Sequence, residues 1–510
     1  MEKTNKNFKK INPKELPKRF DYLLKEDFWR NEWDTSNIYS RSKNQTREKS
    51  FVIDSPPPTV SGSLHVGHIF SYTHQDIIAR YKRMQNFNVV YPMGWDDNGL
   101  PTERRVQNIF GVRIDNNVSY IENLNVEKEK KRLGLDKDTP LIINRQNFIE
   151  MCHIVTGQDE IVFKDLFRKM GYSIDWKDEY ATIDNRSRRI SQQSFLDLFE
   201  KKHIYQYESP TMWDIDFQTA VAQAEIEDRE TPGAYHDIRF TIEDSEKDII
   251  ISTTRPELLG SCVGITAHPD DERYKHLFNK KAISPIFFAP VPIFPSKLVD
   301  MEKGTGILMV CTFGDQTDVI WWRENSLPLR QLFGSNGRVL NINYENQESS
   351  SNWISINPDK ANKNISKLYE KSLKQSKDII IEMLRDSDNS LNSKEPLVSE
   401  PKIISHPVRY YEKGDSPIEY LSSRQWFVKI TDKKKDLLRM GEKIKWHPDY
   451  MSKRFENWTE NLAIDWCISR QRFFGVPIPV WYRTDEKGEV NYNDVILPNI
   501  SDLPIDPDID

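Results

Sequence analysis

Two histidines, His65 and His68, flank Gly67 where a short apolar run at 51–53 and three prolines, Pro56, Pro57 and Pro58, give way to a helical pattern. A helix that starts there offers unpaired N–H groups and the positive end of its macrodipole, both of which favour phosphate. Imidazoles add donors, and glycine lets the backbone approach a ligand closely. The stretch from Thr59 through Gly62 to His68 is therefore a candidate site for phosphoryl or adenylyl transfer, where catalysis is mostly positioning and charge stabilisation. On their own, the two histidines could equally cap or pack the helix entrance. The strand, proline-rich loop and helix around them favour the ligand site.

A second group, Gly94, Trp95, Asp96, Asp97, Asn98 and Gly99, is an acidic turn. A third group runs from Ser252 through Thr253, Thr254, Arg255 and Pro256 to Glu257, with Asp315 and Asp318 downstream of Gly304, Thr305 and Gly306. By composition alone Thr253 and Thr254 are an ordinary β-branched strand pair, and Trp321 and Trp322 read as core.

These residues must be held by elements that the pattern also predicts. Ile69, Thr73, Ile77, Tyr81 and Met84 fall on one face of a 3.6-residue period, with Asp76 and Arg80 spaced for an i,i+4 pair. A second strand follows at 89–91, closed by Pro92, Gly94 and an Asn98-Gly99 turn. Strand, loop, helix and strand make the βαβ unit of a nucleotide-binding fold. Beyond about residue 208 the texture becomes β-rich, with strands expected at 237–242, 248–253, 263–266 and 306–310. Residues 341–395 are polar, with a helix around 365–384 and a linker-like stretch at 386–393. A mixed α/β texture returns from 396. No fixed-period repeat is present.

The chain has 510 residues, 72 Lys and Arg against 78 Asp and Glu, and a net charge of −6. That balance excludes a protein held to nucleic acid by global charge, so a polynucleotide partner needs local basic surface. The length implies about three domains. Four cysteines, Cys152, Cys262, Cys311 and Cys467, form no Cys-x-x-Cys pair, which supports neither a disulfide framework nor bound zinc, and points to a reducing cytoplasm. The first residues, with lysines at 3, 6, 9, 10, 14 and 18, read as a solvated basic tail. They hold no apolar signal core, and no stretch reaches the ~20 apolar residues of a membrane span.

The segment His65-Val66-Gly67-His68 resembles the HIGH signature of the class I aminoacyl-tRNA synthetases. The block from Gly94 to Glu103 resembles the one that holds the amino acid in the valine, isoleucine and leucine members, which would make Asp96 the acceptor of the substrate ammonium. The block from Asp465 to Tyr482 is similar to their second-half block, with Phe474 where tryptophan is usual. The resemblance implies an α/β, Rossmann-type catalytic domain interrupted by a β-rich editing insertion. It gives Thr59, Gly62, His65, Gly67 and His68 to ATP, with His65 and His68 catalytic, and Pro57, Pro58, Asp96 and Phe474 to the amino acid. Thr253, Thr254, Arg255 and Glu257, followed by Ala267, His268 and Pro269, are similar to the editing domain of the valine-specific members, whereas isoleucine enzymes carry Thr-Pro-Trp-Thr.

The implied reaction joins valine and ATP into valyl-adenylate, with Mg²⁺ as counter-ion, and passes valine to tRNA(Val). The implied editing site hydrolyses Thr-tRNA(Val) with Thr253, Thr254, Arg255, Glu257, Asp315 and Asp318. Asp315 and Asp318 would recognise the ammonium and hydroxyl of threonine, and Thr253, Thr254 and Asp315 would orient a water. A second site has a physical reason: for the valine-specific enzymes themselves, an apolar pocket rejects threonine only about a hundredfold.

Departures are specific. Met309, Cys311 and Gly314 stand where lysine, threonine and histidine are usual, and no KMSKS motif follows Gln471. Tyr450-Met451-Ser452-Lys453-Arg454 imitates that motif but precedes Asp465. The expectation is an N-terminal portion of a longer, monomeric, cytoplasmic enzyme. Its expected layout is a tail at 1–19, a first catalytic half at 20–208, an editing domain at 209–345, a connection at 346–395 and a second catalytic part at 396–510. A stand-alone editing hydrolase, a non-catalytic tRNA-binding fragment and isoleucine specificity are the alternatives.

Overall fold

The computed structural model of the chain describes residues 12–15, 18–19, 21–60, 64–243, 245 and 247–509. Gly62 and most of the basic tail lie outside the described residues. The chain divides into two compact units, one formed by 1–197 with 472–510 and the other by Leu198–Gln471. The first break falls inside a helix, Asn185–Glu200, and the second inside the block from Asp465 to Tyr482.

In the first unit, the strand Ser50–Val52 pairs in parallel with Asn88–Val90, Phe51 opposite Val89, and the helix Val66–Met84 connects them. This is the expected βαβ unit. Further parallel pairs join Met93–Trp95 to Glu179–Ala181 and Val112–Ile114 to Leu141–Ile143. Gly94 lies under the Tyr180 ring, where any Cβ would collide with it. Two apolar clusters fill this unit: one gathers Val60, Tyr72, Val89, Tyr91, Trp95 and Phe167, the other Val106, Ile143, Phe148, Cys152 and Phe474.

The helix Val66–Met84 does not bury the face its apolar period indicated. Ile77, Tyr81 and Met84 are exposed, and Tyr72, Asp76 and Ala79 are buried instead. The reason is a satisfied carboxylate. Asp76 accepts from the Ser173 N–H at 2.5 Å, the Ser173 hydroxyl at 2.6 Å and the Arg80 Nε at 2.7 Å. A buried acid with all its bonds made costs little, so the polar i,i+4 pair fixes the helix rotation.

The second unit is dominated by β structure. A seven-stranded sheet runs in the order Asp248–Thr253, Ile226–Ile242, Lys281–Ile283, Pro290–Pro295, Cys262–Ala267 and Ile307–Cys311, with Lys402–Tyr411 pairing along the early part of the long strand. A four-stranded sheet contains Ile204–Asp214 and Glu419–Val428. The polar stretch from 346 onward does not behave as a mere connection. Its helices Pro358–Ile365 and Leu373–Leu384 send Ala361, Ile365, Ile380, Met383 and Leu384 into the main core of this unit. Even the linker-like 386–393 is fixed: Asn389 is buried, accepts from Asn364 at 3.0 Å and donates to the Met383 carbonyl at 2.9 Å. Polarity there reflects satisfied buried amides rather than solvation. All four cysteines are free and buried. Among the described residues no helix is long and apolar enough to cross a membrane.

Candidate functional site

His65 sits just outside the helix Val66–Met84 as its N-cap. Its Nδ1 accepts from the Gly67 N–H at 3.1 Å, and the His68 Nδ1 accepts from the His65 N–H at 3.3 Å, a reciprocal capping box built from imidazoles. Gly67 permits it, since a Cβ there would lie 3.0 Å from the His65 ring. The rings are 4.0 Å apart, and burial, then the neighbouring His65, lowers the pKa of His68. Because both Nδ1 atoms accept, each neutral ring carries its proton on Nε2. Capping and ligand binding are thus not alternatives: one nitrogen of each ring shapes the helix start and the other is a donor.

The segment leading into this helix is pinned to the acidic turn. The Val60 N–H donates to the Asp96 carbonyl at 2.9 Å and the Asp96 N–H to the Pro58 carbonyl at 3.0 Å. Asp96 is half-buried, and its carboxylate accepts from the Thr59 hydroxyl at 3.2 Å and the Thr182 hydroxyl at 3.3 Å. Pro57 is half-buried and Pro58 buried in the same segment. Thr182 was invisible in the sequence, lying far along the chain with no motif around it. Next to Asp96, Asp97 is almost fully buried; burial and the adjacent Glu160 hold its carboxyl well above the usual range.

Phe474 is fully buried in the apolar cluster, edge-on to His153 at 5.2 Å. Its backbone is fixed by Glu103, whose carboxylate accepts from the Phe474 and Phe473 N–H groups at 2.9 and 3.0 Å. Phe474 is thus a fixed member of that core cluster.

The Thr253 group belongs to the second unit. Thr253 ends its strand opposite His236, and its hydroxyl accepts from the Arg255 N–H at 3.0 Å. Arg255 donates to Glu257 at 3.0 Å, to both oxygens of Glu419 at 2.8 Å and to the Gly314 carbonyl at 3.2 Å. Arg255 and Glu257 are thus a clamp that holds the threonine loop to the Gly314 loop and to the strand Glu419–Val428. Sequence reasoning missed Glu419, which no motif marks.

Asp315 caps the helix Gln316–Glu324, accepting from the Thr317 and Asp318 N–H groups at 2.7 and 3.0 Å. Asp318 is buried and accepts from the Gly314 N–H at 2.8 Å and the Cys311 N–H at 3.3 Å. Burial, and secondarily Asp315, push its carboxyl up to about 8, so near neutral pH it is a hydrogen-bond donor as well as an acceptor. Two further groups reach this loop unannounced by any motif. Lys377 donates to the Thr254 carbonyl at 3.0 Å, and His236 is buried with Nδ1 unpartnered, burial and then Lys377 lowering its pKa. Lys453, of the KMSKS-like stretch, is exposed and paired with Glu456 at 2.5 Å.

The tRNA synthetases class I (I, L, M and V) family model matches residues 28–498. The valine–tRNA ligase of Thermobifida fusca is 47% identical over 483 residues, covering 94% of this chain and 52% of that protein. That of Bifidobacterium longum is 46% identical over 493 residues, covering 95% and 52%, and that of Tropheryma whipplei 43% over 494 residues, covering 95% and 55%. The chain spans about half the length of the curated relatives it matches. It belongs to the class I tRNA synthetases of the isoleucine, leucine, methionine and valine group.

Proposed function

We propose that the chain carries the valine-activating site and a separate threonine-clearing site of a valine–tRNA ligase. The observation that carries this reading is the Asp96 pocket tied by backbone bonds to the segment that enters the paired-histidine helix start. A valine ammonium on Asp96 directs its carboxylate toward the α-phosphorus of ATP. As that oxygen bonds phosphorus and pyrophosphate leaves, the Nε2–H donors of His65 and His68 and the helix N-terminus meet the growing phosphate charge. Magnesium enters as the counter-ion of the nucleotide. Thr59 positions Asp96, while Pro57, Pro58 and Phe474 supply apolar surface. The terminal ribose hydroxyl of tRNA(Val) then attacks the adenylate carbonyl, and AMP departs.

Threonine that slips through is cleared in the second unit, where Thr253, Thr254 and Asp315 orient a water and Asp318 bonds the hydroxyl that valine lacks. Valine would leave such buried polar groups unpaired, which is why it is refused. Buried free cysteines fit a reducing, cytoplasmic setting.

Calorimetry with the sulfamoyl analogues of valyl-, isoleucyl- and threonyl-adenylate tests the activating site. The valyl analogue should bind best, and Asp96→Asn should weaken it at least about tenfold, since a charged hydrogen bond is lost. Tighter binding of the isoleucyl analogue would reassign the amino acid. Indifference to Asp96→Asn would remove the ammonium role.

A further inference from the structure

We propose that Lys377 is a catalytic member of the threonine-clearing pocket, its ammonium stabilising the oxyanion that forms when water attacks the aminoacyl ester. This rests on the editing reading above and goes beyond it by naming a group that none of the motifs contains.

The helix Leu373–Leu384 is anchored firmly. Ser372 and Gln375 form a reciprocal capping box, and Ser376, Ile380, Met383 and Leu384 are buried. Lys377 is half-buried, and its Nζ donates to the Thr254 carbonyl at 3.0 Å. An ammonium has three donors; the Thr254 carbonyl takes one, and Lys377 pairs with no carboxylate among the described residues. The charged groups around it are accounted for otherwise. Arg255 is spent on Glu257, Glu419 and the Gly314 carbonyl, and His236 on the facing strand is buried with an unpartnered Nδ1. Lys377 is thus a cation at the loop that carries Thr253 and Thr254 with no carboxylate partner among the described residues. The strand Ile307–Cys311 offers no substitute, since Met309 stands where the family resemblance leads one to expect lysine.

The chemistry is an ester hydrolysis. The water oxygen bonds the carbonyl carbon, and the carbonyl electron pair moves onto its oxygen, which faces Lys377. Collapse of the intermediate breaks the bond to the ribose oxygen. That oxygen takes the proton released by water, and threonine leaves as its acid, which ionises. A fixed cation worth most when charge develops accelerates the step without tightening substrate binding.

Lys377→Met and Lys377→Arg, made in the 510-residue chain, are assayed for threonine release from preformed Thr-tRNA(Val). Lys377→Met should lower kcat about a hundredfold with KM unchanged, as for loss of an oxyanion donor. Lys377→Arg should recover most of the rate. A wild-type rate for Lys377→Met, a loss confined to KM, or a loss that Lys377→Arg does not repair would overturn the proposal. If the unsubstituted chain binds the valyl-adenylate analogue yet releases no threonine, the editing reading fails, and this proposal with it. If it releases threonine and Lys377→Met matches it, only the role of Lys377 fails.

Discussion

The two candidate sites are built on opposite plans. In the first unit, the proposed phosphate site is local: His65, Gly67 and His68 cap their own helix, and the capping bonds themselves orient the rings. In the second unit, the threonine loop owes its shape to partners far along the chain, with Glu419 gripping Arg255 across 164 residues and Lys377 reaching Thr254 across 123. A site made from a helix terminus needs few supporting residues, because backbone N–H groups and the dipole supply the field. The proposed editing site, made from loops, has no such frame. It needs buried ion pairs, which are costly to break from one side.

That contrast predicts where each unit is fragile. The largest effect should come from Glu419→Gln, which strips a buried bidentate partner from Arg255. The cost should be roughly 3–5 kcal/mol, read as a lowered unfolding temperature together with lost threonine release. Binding of the valyl-adenylate analogue should survive. If both functions fell together, the clamp would not be specific to the second unit.

Substitutions of His65 should be smaller in stability and divide its two roles. His65→Ala loses the cap, about 0.5–2 kcal/mol, and in the longer enzyme slows valine-dependent pyrophosphate exchange about a hundredfold. His65→Asp restores a good N-cap but not the donor, so stability should return while exchange does not. Recovery of exchange with the cap would show that His65 acts only on the helix.

A third prediction is read against pH and concerns Asp318. Its folded carboxyl, pushed to about 8, holds a proton that the unfolded chain releases near the ordinary value of about 4. The folded state therefore binds more protons across that window, and stability falls as pH rises through it. Urea unfolding should show a higher midpoint at pH 5 than at pH 8, and Asp318→Asn should flatten the difference. An unchanged pH slope in the variant would contradict the assignment.

What could be read from the chain alone follows the same division. The βαβ start and the strands of the β-rich unit were legible because periodicity and turn residues are local signals. The paired histidines were singled out by the strand, loop and helix around them, and Asp96 by the resemblance of its block to the family's amino-acid block. The rotation of the helix Val66–Met84 was not, because a buried Asp76 satisfied by Ser173 overrides the apolar stripe that exposes Ile77 and Tyr81. Residues 346–395 looked like a connection because Asn364 and Asn389 are polar, yet their amides bond each other inside the core. Thr182, Glu419 and Lys377 carry no motif. Each matters through a distant contact, and a single sequence holds no record of such contacts.

The most direct test of two sites with opposite preferences is to offer the chain Thr-tRNA(Val) and Val-tRNA(Val) separately and time the release of each amino acid. A pocket that hydrogen-bonds the threonine hydroxyl should release threonine at least about a hundredfold faster than valine. Equal rates, or no release of threonine by the folded chain, would contradict the account.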